Sequence, residues 1–331
     1  MGIRSRAIAF VEREKAEVVD VRLPDVGPGD ILVRTDYSGV SAGTDGWIWQ
    51  GKFEGVQYPL LAGYQKTGVV VEAGKKVRGF GAGDRVYDCT TKLAAGEKYN
   101  VMWGGHTEYS VIGAPDDRLF KLPKEADLAE SSLCVLLGTP LHGIDFIGGI
   151  RKGETVLVMG LGLVGQGACQ GARLCGARVI AADLAEMRVR KAKRYSADIA
   201  VTATPEALER AVRKAKKEGV DVLIDTTGSA KALAVAIPLV RLHGRVSLQG
   251  YYPGLTPIDL FPPHAKELVF YCPCDCDPPG ALRRGVRLMA QRKLNFRSLI
   301  THRERPESCQ QVYEMLKDRP SEALAVVFKW R

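Results

Sequence analysis

The 331-residue chain reads as an α/β protein in two parts, a β-rich unit followed by a doubly wound parallel sheet. Residues 1–125 alternate short β-branched runs with Gly and Pro, as in "DILVRTDYSGV", "TGVVVEAG", "GDRVYDC" and "TEYSVIGA", which suggests a barrel-like unit. From residue 126 the texture changes. Apolar strands such as "ETVLVMG", "RVIAAD", "VDVLIDTTG" and "ELVFYC" alternate with helical stretches at 163–175, 185–195, 205–218 and 229–242. That alternation implies a parallel sheet with helices on both faces. Beyond 272, the amphipathic segment "PESCQQVYEMLKD" and the strand "ALAVVFKW" are expected to rejoin the first unit. The expected domains are therefore 1–125, 126–272 and 273–331.

A hydrophobic fraction of 46% and a charged fraction of 26% suit a globular protein with a sizeable core. No apolar run reaches the roughly 18–20 residues of a membrane span, so no membrane role is expected. The N-terminus "MGIRSRAIAFVEREK" lacks the apolar core of a signal peptide, and a cytoplasmic location is expected. The net charge of +9 invites a nucleic-acid reading, but Lys and Arg are dispersed, and the densest block, "RKAKKEG" at 213–219, ends a helical pattern. No nucleic-acid partner is expected. The eight cysteines lack the spacing of a disulfide framework, which favours reduced thiols. In "CPCDC", an extended backbone puts Cys272, Cys274 and Cys276 on one face, and packed thiols are expected there.

"GLGLVG" follows the strand "TVLVM" and opens a helical run, the context that a dinucleotide-binding turn requires. Gly160 permits the tight turn, Gly162 lets a pyrophosphate approach the backbone, and Gly165 lets the helix pack close to the sheet. Asp183 ends the next strand. A carboxylate there accepts hydrogen bonds from a ribose 2′-OH and repels a 2′-phosphate, so NAD is expected over NADP. Arg188, one helical turn later, is placed to touch the ribose or adenine.

With these motifs stand "GVSAGTD" (39–45), "GYQKTG" (63–68), "GDRV" (83–86), "GGHTEY" (104–109), "GTPLHG" (138–143), "IDTTG" (224–228), "GRVSLQG" (244–250) and "LITHR" (299–303). In this order the chain resembles the medium-chain dehydrogenase/reductase superfamily over nearly its whole length. The resemblance implies a GroES-like catalytic domain, a Rossmann domain, a cleft holding the nicotinamide, and a homodimer or homotetramer. It implies NAD contacts from Thr139, Gly160, Gly162, Leu163, Val164, Gly165, Asp183, Arg188, Thr226, Thr227, Gly228, Gln249 and Gly250. Tyr271 and Cys272 are expected near the cofactor's reactive end through their backbone.

In the zinc branch of that superfamily a Cys precedes Gly-Ser/Thr-Asp, a His follows the Gly of Gly-His-Glu, and a Cys or Glu stands four residues before the Thr of the "GTPLHG" pattern. Those positions here are Ala42, Tyr64 and Val135, with Cys134 one residue away. A catalytic zinc takes three Cys, His or carboxylate ligands. Ala and Val supply none, and a neutral Tyr is a poor ligand. Of the four cysteines of a structural zinc lobe near 90–110 only Cys89 lies close, and the relay His two residues after Asp45 is Trp47. No metal is expected. Among zinc-free branches, "SAGTDGWIWQGKF" followed by "YPLLAGY" resembles the group containing bacteriochlorophyllide hydroxyethyl dehydrogenase.

Hydride transfer from a secondary alcohol needs a base for the hydroxyl proton and donors for the developing alkoxide. If residues 63–68 are extended, Tyr64 and Lys66 share a face. The Tyr64 phenol is then expected to exchange a proton with the substrate oxygen, with Lys66 lowering its pKa. The alternative is that Tyr64 fills the metal cavity and Lys66 reaches solvent. Thr44 either orients the substrate or caps a turn, Asp45 either does chemistry or holds local structure, and His106 is either a base or a core histidine. Trp47, Gln65, Trp103 and His142 are candidates for the substrate pocket, with Trp49 and Tyr58 as further aromatic walls and core packing as the alternative. The expected function is a zinc-independent, NAD-dependent oxidoreductase interconverting a secondary alcohol (sugar, polyol, cyclitol or hydroxyalkyl compound) and its ketone. An NADPH-dependent quinone or enoyl reductase and a non-catalytic dinucleotide-binding protein are the alternatives.

Overall fold

The structure, a computed structural model, describes residues 2–114, 116–252, 254–273 and 279–331. It forms two compact units. The first comprises Met1–Val135, Val286–Arg292 and Phe296–Arg331; the second comprises Leu136–Gly285 and Lys293–Asn295.

The first unit begins with β1 (Ile3–Glu12), β2 (Lys15–Leu23), β3 (Asp30–Val40), β4 (Leu60–Leu61), β5 (Lys66–Ala73), β6 (Arg85–Asp88), β7 (Asn100–Val101), β8 (Tyr109–Gly113) and β9 (Phe120–Lys121). The second unit contributes β10 (Thr155–Met159), β11 (Arg178–Asp183), β12 (Ile199–Thr202), β13 (Val220–Asp225), β14 (Val240–Leu248) and β15 (Val269–Tyr271). The chain then returns to the first unit with β16 (Ile300–Glu304) and β17 (Ala325–Lys329). In that unit β2-β1-β4-β7 form one sheet and β16-β17-β3-β5-β6-β9 a second, with β8 also paired to β3.

The second unit is a parallel sheet of order β12-β11-β10-β13-β14-β15. Its central strands are apolar at nearly every position because both faces are covered. Val156 and Val158 of β10, Val179 and Ala181 of β11 and Val222 and Ile224 of β13 pack on one side. Leu157, Met159, Ile180, Ala182 and Leu223 pack on the other. The fold is thus α/β, a GroES-like unit with a Rossmann-type parallel sheet. The helix expected over 229–242 is shorter, Ala230–Ala236, with a 3₁₀ turn over Ile237–Leu239 before β14. Pro238 lacks the N–H that would continue the helix.

The boundaries differ from the expected 125 and 273. The segment 126–135 belongs to the first unit because it is tied to it by hydrogen bonds. Asp127 caps the helix Leu128–Ser131 by accepting from the Glu130 N–H, and Thr67 Oγ1 donates to the Leu128 carbonyl at 2.8 Å. Glu130 Oε1 accepts from the N–H groups of Phe296 (2.7 Å) and Arg297 (2.9 Å), fastening the returning chain, and burial pushes the Glu130 carboxyl up. Cys89, Cys134, Cys169, Cys175, Cys272 and Cys309 are not joined in disulfides; Cys274 and Cys276 lie outside the described residues. Among the described residues no helix is long and apolar enough to cross a membrane.

Glu130→Ala should orphan two N–H groups and lower stability by about 2–4 kcal/mol. Glu130→Gln keeps an amide oxygen for them and should lose less. Thermal melts of both variants check the order.

Candidate active site

The C-terminal edge of the parallel sheet gathers the dinucleotide motifs. Gly160 leaves β10 with φ of +84°, the left-handed region that favours glycine. Thr226 Oγ1 lies 3.1 Å from both the Met159 and Gly160 carbonyls, locking that turn against the end of β13. A Cβ on Gly165 would sit 1.9 Å from the Gly160 carbonyl oxygen, so only glycine lets the helix Leu163–Leu174 start here. A Cβ on Gly162 would meet nothing within 4 Å, which leaves its backbone open to an incoming phosphate. Leu163 and Val164 open the helix, whose first amides suit an anion.

Asp183 closes β11. Its Oδ1 accepts from the Ala185 N–H (2.7 Å) and its Oδ2 from the Leu161 N–H (2.6 Å), while Arg188 Nη1 lies 3.9 Å from Oδ2. The carboxylate is held at the glycine turn with lone pairs left for ribose hydroxyls. In register across the sheet, Met159 lies opposite Asp225, Asp225 opposite Leu248, and Ser247 opposite Tyr271. Thr226, Thr227, Gly228, Gln249, Gly250, Tyr271 and Cys272 therefore share this edge with the Gly160 turn. Thr139 is half-buried on the helix Cys134–Phe146, and the exposed Cys272 thiol follows β15. His142 packs on Phe146 at 5.8 Å between ring centroids, and Phe146 meets Tyr271 edge-on at 6.4 Å.

Two residues of this edge escape sequence reading. Asp225 is buried and accepts from Thr227 Oγ1 (2.8 Å), from the backbone N–H groups of Thr227 and Gly228, and from the Tyr252 hydroxyl. Burial pushes the Asp225 carboxyl up against those donors, and burial together with Asp225 pushes the Tyr252 phenol up. The Asp that opens "DTTG" was the available signal for Asp225; Tyr252 had none.

In the first unit β3 runs into a turn over Ser41, Ala42 and Gly43 and then the helix Thr44–Trp49. Asp45 Oδ2 accepts from the Ser41 N–H at 2.9 Å and Ser41 Oγ accepts from the Thr44 N–H at 3.2 Å. Ala42 is exposed, Thr44 and Trp47 are half-buried, and Asp45 is fully buried. Gly63, with φ of +80°, bends the chain around His106; a Cβ there would lie 2.5 Å from the imidazole. Tyr64 follows, half-buried, its ring 5.5 Å from Trp103, which meets Phe53 edge-on at 6.4 Å.

Other expected site residues are turned inward. Lys66 is fully buried, its Nζ 3.0 Å from Asp88 Oδ1, 2.8 Å from the Thr90 carbonyl and 3.1 Å from Thr107 Oγ1. Three acceptors match the three ammonium hydrogens, so Lys66 neither biases Tyr64 nor reaches solvent. Burial pushes the Asp88 carboxyl up and the Lys66 charge pulls it back. Gln65 is buried with Oε1 accepting from the Val135 N–H at 3.2 Å, which spends it on the fold rather than on a pocket. Trp49 is core, stacked on Tyr313 at 5.9 Å, and Tyr58 Oη donates to the Ile48 and Trp49 carbonyls.

His106 is also fully buried. Its Nδ1 is 2.8 Å from Ser38 Oγ, which accepts from Trp330 Nε1 at 3.0 Å, and its Nε2 is 3.7 Å from Asp45 Oδ2. An indole N–H only donates, so the arrangement using every group has the Ser38 hydroxyl donating to Nδ1 and the imidazole N–H on Nε2, facing Asp45. Both nitrogens thus face protein, and His106 is no direct base for a substrate.

The family's metal finds no ligand set at this frame. Ala42, Tyr64 and Val135 stand at the expected positions, and among the described residues no group of three or more His, Cys, Asp or Glu could hold a metal ion.

Lys66→Met should leave Asp88 as a buried carboxylate without its counter-ion, at a cost of about 3–5 kcal/mol. Exchanging Asp88 for Leu in the same chain should recover much of that loss in denaturant melts, since the buried charge goes with it.

Comparison with known proteins places these features. Residues 27–124 match the alcohol dehydrogenase GroES-like domain, and residues 164–276 match the zinc-binding dehydrogenase family. The chain is 30% identical to an alcohol dehydrogenase of Geobacillus stearothermophilus over 222 residues, 61% of this chain and 64% of that enzyme. It is 28% identical to L-threonine 3-dehydrogenase of Pyrococcus horikoshii over 338 residues, covering 91% and 92% of the two chains. A Sinorhizobium meliloti structure, described as a candidate zinc-binding dehydrogenase bound to NADP, superposes with a TM-score of 0.84 at 26% identity, covering 99% of each chain. With the GroES-like unit, the parallel sheet and its glycine turn in these relatives' order, the chain belongs to the medium-chain dehydrogenase/reductase superfamily.

Proposed function

We propose that this protein is a zinc-independent, NAD(H)-dependent oxidoreductase of a zinc-free branch resembling the bacteriochlorophyllide hydroxyethyl dehydrogenase group. It interconverts a secondary alcohol (a sugar, polyol, cyclitol or hydroxyalkyl compound) and its ketone. The observation that carries the reading is the pairing of an intact dinucleotide turn with a metal frame whose ligand positions hold Ala42, Tyr64 and Val135. A cytoplasmic homodimer or homotetramer is the assembly this reading takes from the family.

Bound at the Gly160 turn, NAD supplies a hydride acceptor. The chain's own residues do the rest. Asp183, pinned by two backbone N–H groups, offers acceptors to ribose hydroxyls and repels a 2′-phosphate. Thr226 and the Gly165 contact hold the turn in the shape that receives the pyrophosphate. Where zinc would polarise the alcohol oxygen, the half-buried Tyr64 phenol hydrogen-bonds to it and exchanges its proton, with the Thr44 hydroxyl orienting the substrate. Trp47 and Trp103 present apolar faces to a ring or sugar. The NADP held by the Sinorhizobium relative is the observation that favours a second reading, an NADPH-dependent reductase. Asp183 weighs against it.

Purified protein offered polyols, cyclitols, sugars and hydroxyalkyl aromatics should reduce NAD⁺, followed at the nicotinamide absorbance, and should keep its activity after dialysis against chelator. About one tightly held zinc per chain, with activity lost to chelator, would falsify the zinc-free reading. Tyr64→Phe should cost roughly 10²–10⁴ in turnover with cofactor affinity little changed. Asp183→Ala should relax the preference for NAD by at least about tenfold, since charge-assisted hydrogen bonds are worth about 1.5–3 kcal/mol. Wild-type preference for NADPH in a two-cofactor assay would instead support the reductase.

A further inference from the structure

Around the inward face of the Thr44–Trp49 helix lie three buried polar atoms with no hydrogen-bond partner within the chain: Asp45 Oδ1, His106 Nε2 and Tyr313 Oη. Such atoms are costly unless they do something, and polar groups just beyond bonding distance commonly share a proton or a water. Asp45 and His106 come within 3.7 Å. Tyr313, on the helix Cys309–Asp318, stacks on Trp49, which follows Asp45 by one helical turn. Phe328 closes the other side, edge-on to His106 at 5.2 Å. Tyr313 sits in an apolar core with Phe10, Val40 and Ile48.

We propose that Asp45 is the buried proton acceptor of this site, reached from the substrate through Tyr64 and Tyr313, and that His106 is a positioning residue that orients its carboxylate. This rests on the reading of Tyr64 given above. In oxidation the alcohol O–H bond breaks and its proton passes to the Tyr64 oxygen. The Tyr64 proton passes to Tyr313, and the Tyr313 proton to Asp45 Oδ1. The C–H bond gives its electron pair as hydride to the oxidised dinucleotide, leaving ketone, reduced dinucleotide and a protonated Asp45 that later returns its proton to solvent. Each phenol gains one proton as it loses one, so neither must become a phenolate. Burial, and then the nearby charges of Asp45, Cys309 and Tyr64, push the Tyr313 phenol well up, which keeps it a donor. The Trp330–Ser38–His106 chain aims an imidazole N–H at Asp45 Oδ2 and so orients the carboxylate, leaving Oδ1 for the arriving proton. The titratable groups facing this pair are then His106 beside Asp45, with Cys309 of the C-terminal helix and Tyr64 of the segment before β5 near Tyr313; Lys317 lies over the Trp49 ring.

The test follows alcohol oxidation across pH in Asp45→Asn, Tyr313→Phe, Tyr64→Phe and the Tyr64→Phe/Tyr313→Phe pair, with thermal melts of each. Asp45→Asn and Tyr313→Phe should each lower kcat by roughly 10²-fold. Asp45→Asn should also erase the acidic limb, because oxidation in wild type falls as Asp45 becomes protonated. The double variant should be no slower than the slower single one, as members of one relay are not additive. Tyr313→Phe removes only an unpartnered hydroxyl and should melt like wild type, so it decides the matter if Asp45→Asn fails to fold. A slow Tyr64→Phe beside a wild-type-like Tyr313→Phe overturns the relay alone, whereas a wild-type-like Tyr64→Phe sinks the Tyr64 reading and the relay with it. Infrared difference spectra on acidification read the acceptor without turnover. The other carboxylates give this band in both proteins, so the readout is the wild-type-minus-Asp45→Asn difference: one protonated-carboxyl component should remain in it, and a null difference overturns the proposal.

Discussion

A buried ammonium must find an acceptor for each of its hydrogens, and Lys66 imposes that requirement on the middle of the first unit. In register it lies opposite Ser38 of β3 and Asp88 of β6, and its three partners come from β6, from the loop after it and from the chain just before β8. Moving any one of these segments would strand a charge. Holding them fixes the path of Gly63, Tyr64 and Gln65 into β5 and seats His106 beside Thr107. The aromatic wall of Tyr64 and Trp103 and the inward set around Asp45 both hang from this arrangement.

The second unit meets a similar demand with backbone. Its site edge is built from glycines, strand ends and N–H groups aimed at Asp183 and Asp225. Side chains enter mainly as clamps, such as Thr226 on the Gly160 turn. A cradle made of backbone tolerates much change elsewhere provided a few glycines stay. Gly165 has no substitute, since even a methyl group would strike the Gly160 carbonyl.

The first unit shows the opposite case, a frame defined by side chains. The turn at Ser41 and the bend at Gly63 persist because they are backbone features supported by Asp45 and by the His106 ring. What they enclose is a buried carboxylate, a buried imidazole and, at Tyr64, a half-buried phenol. Polar atoms kept in an apolar core at such cost point to chemistry more than to stability.

Sequence alone determined the class of fold, the two-part organisation, the parallel sheet implied by alternating strands and helices, and the glycine turn with Asp183 at the end of the next strand. These rest on local rules: periodicity, turn stereochemistry and the reach of one βαβ unit. It also put Ala42, Tyr64 and Val135 where the resemblance expects zinc ligands, a reading that needs only residue identity. Tertiary structure decided the direction in which each side chain of the frame points. Two-residue alternation put Tyr64 and Lys66 on one face, but residues 64 and 65 precede β5, so the rule did not apply to them. Where Lys66 goes depends on Asp88, Thr90 and Thr107, more than 20 residues away. His106 likewise depends on Ser38, itself bound by Trp330, and faces Asp45, residues that meet only when β3, the chain after β17 and the helix Thr44–Trp49 are assembled. Backbone geometry is written in short stretches and reads directly; the fate of a buried charge is settled by whichever distant atoms the fold brings to it.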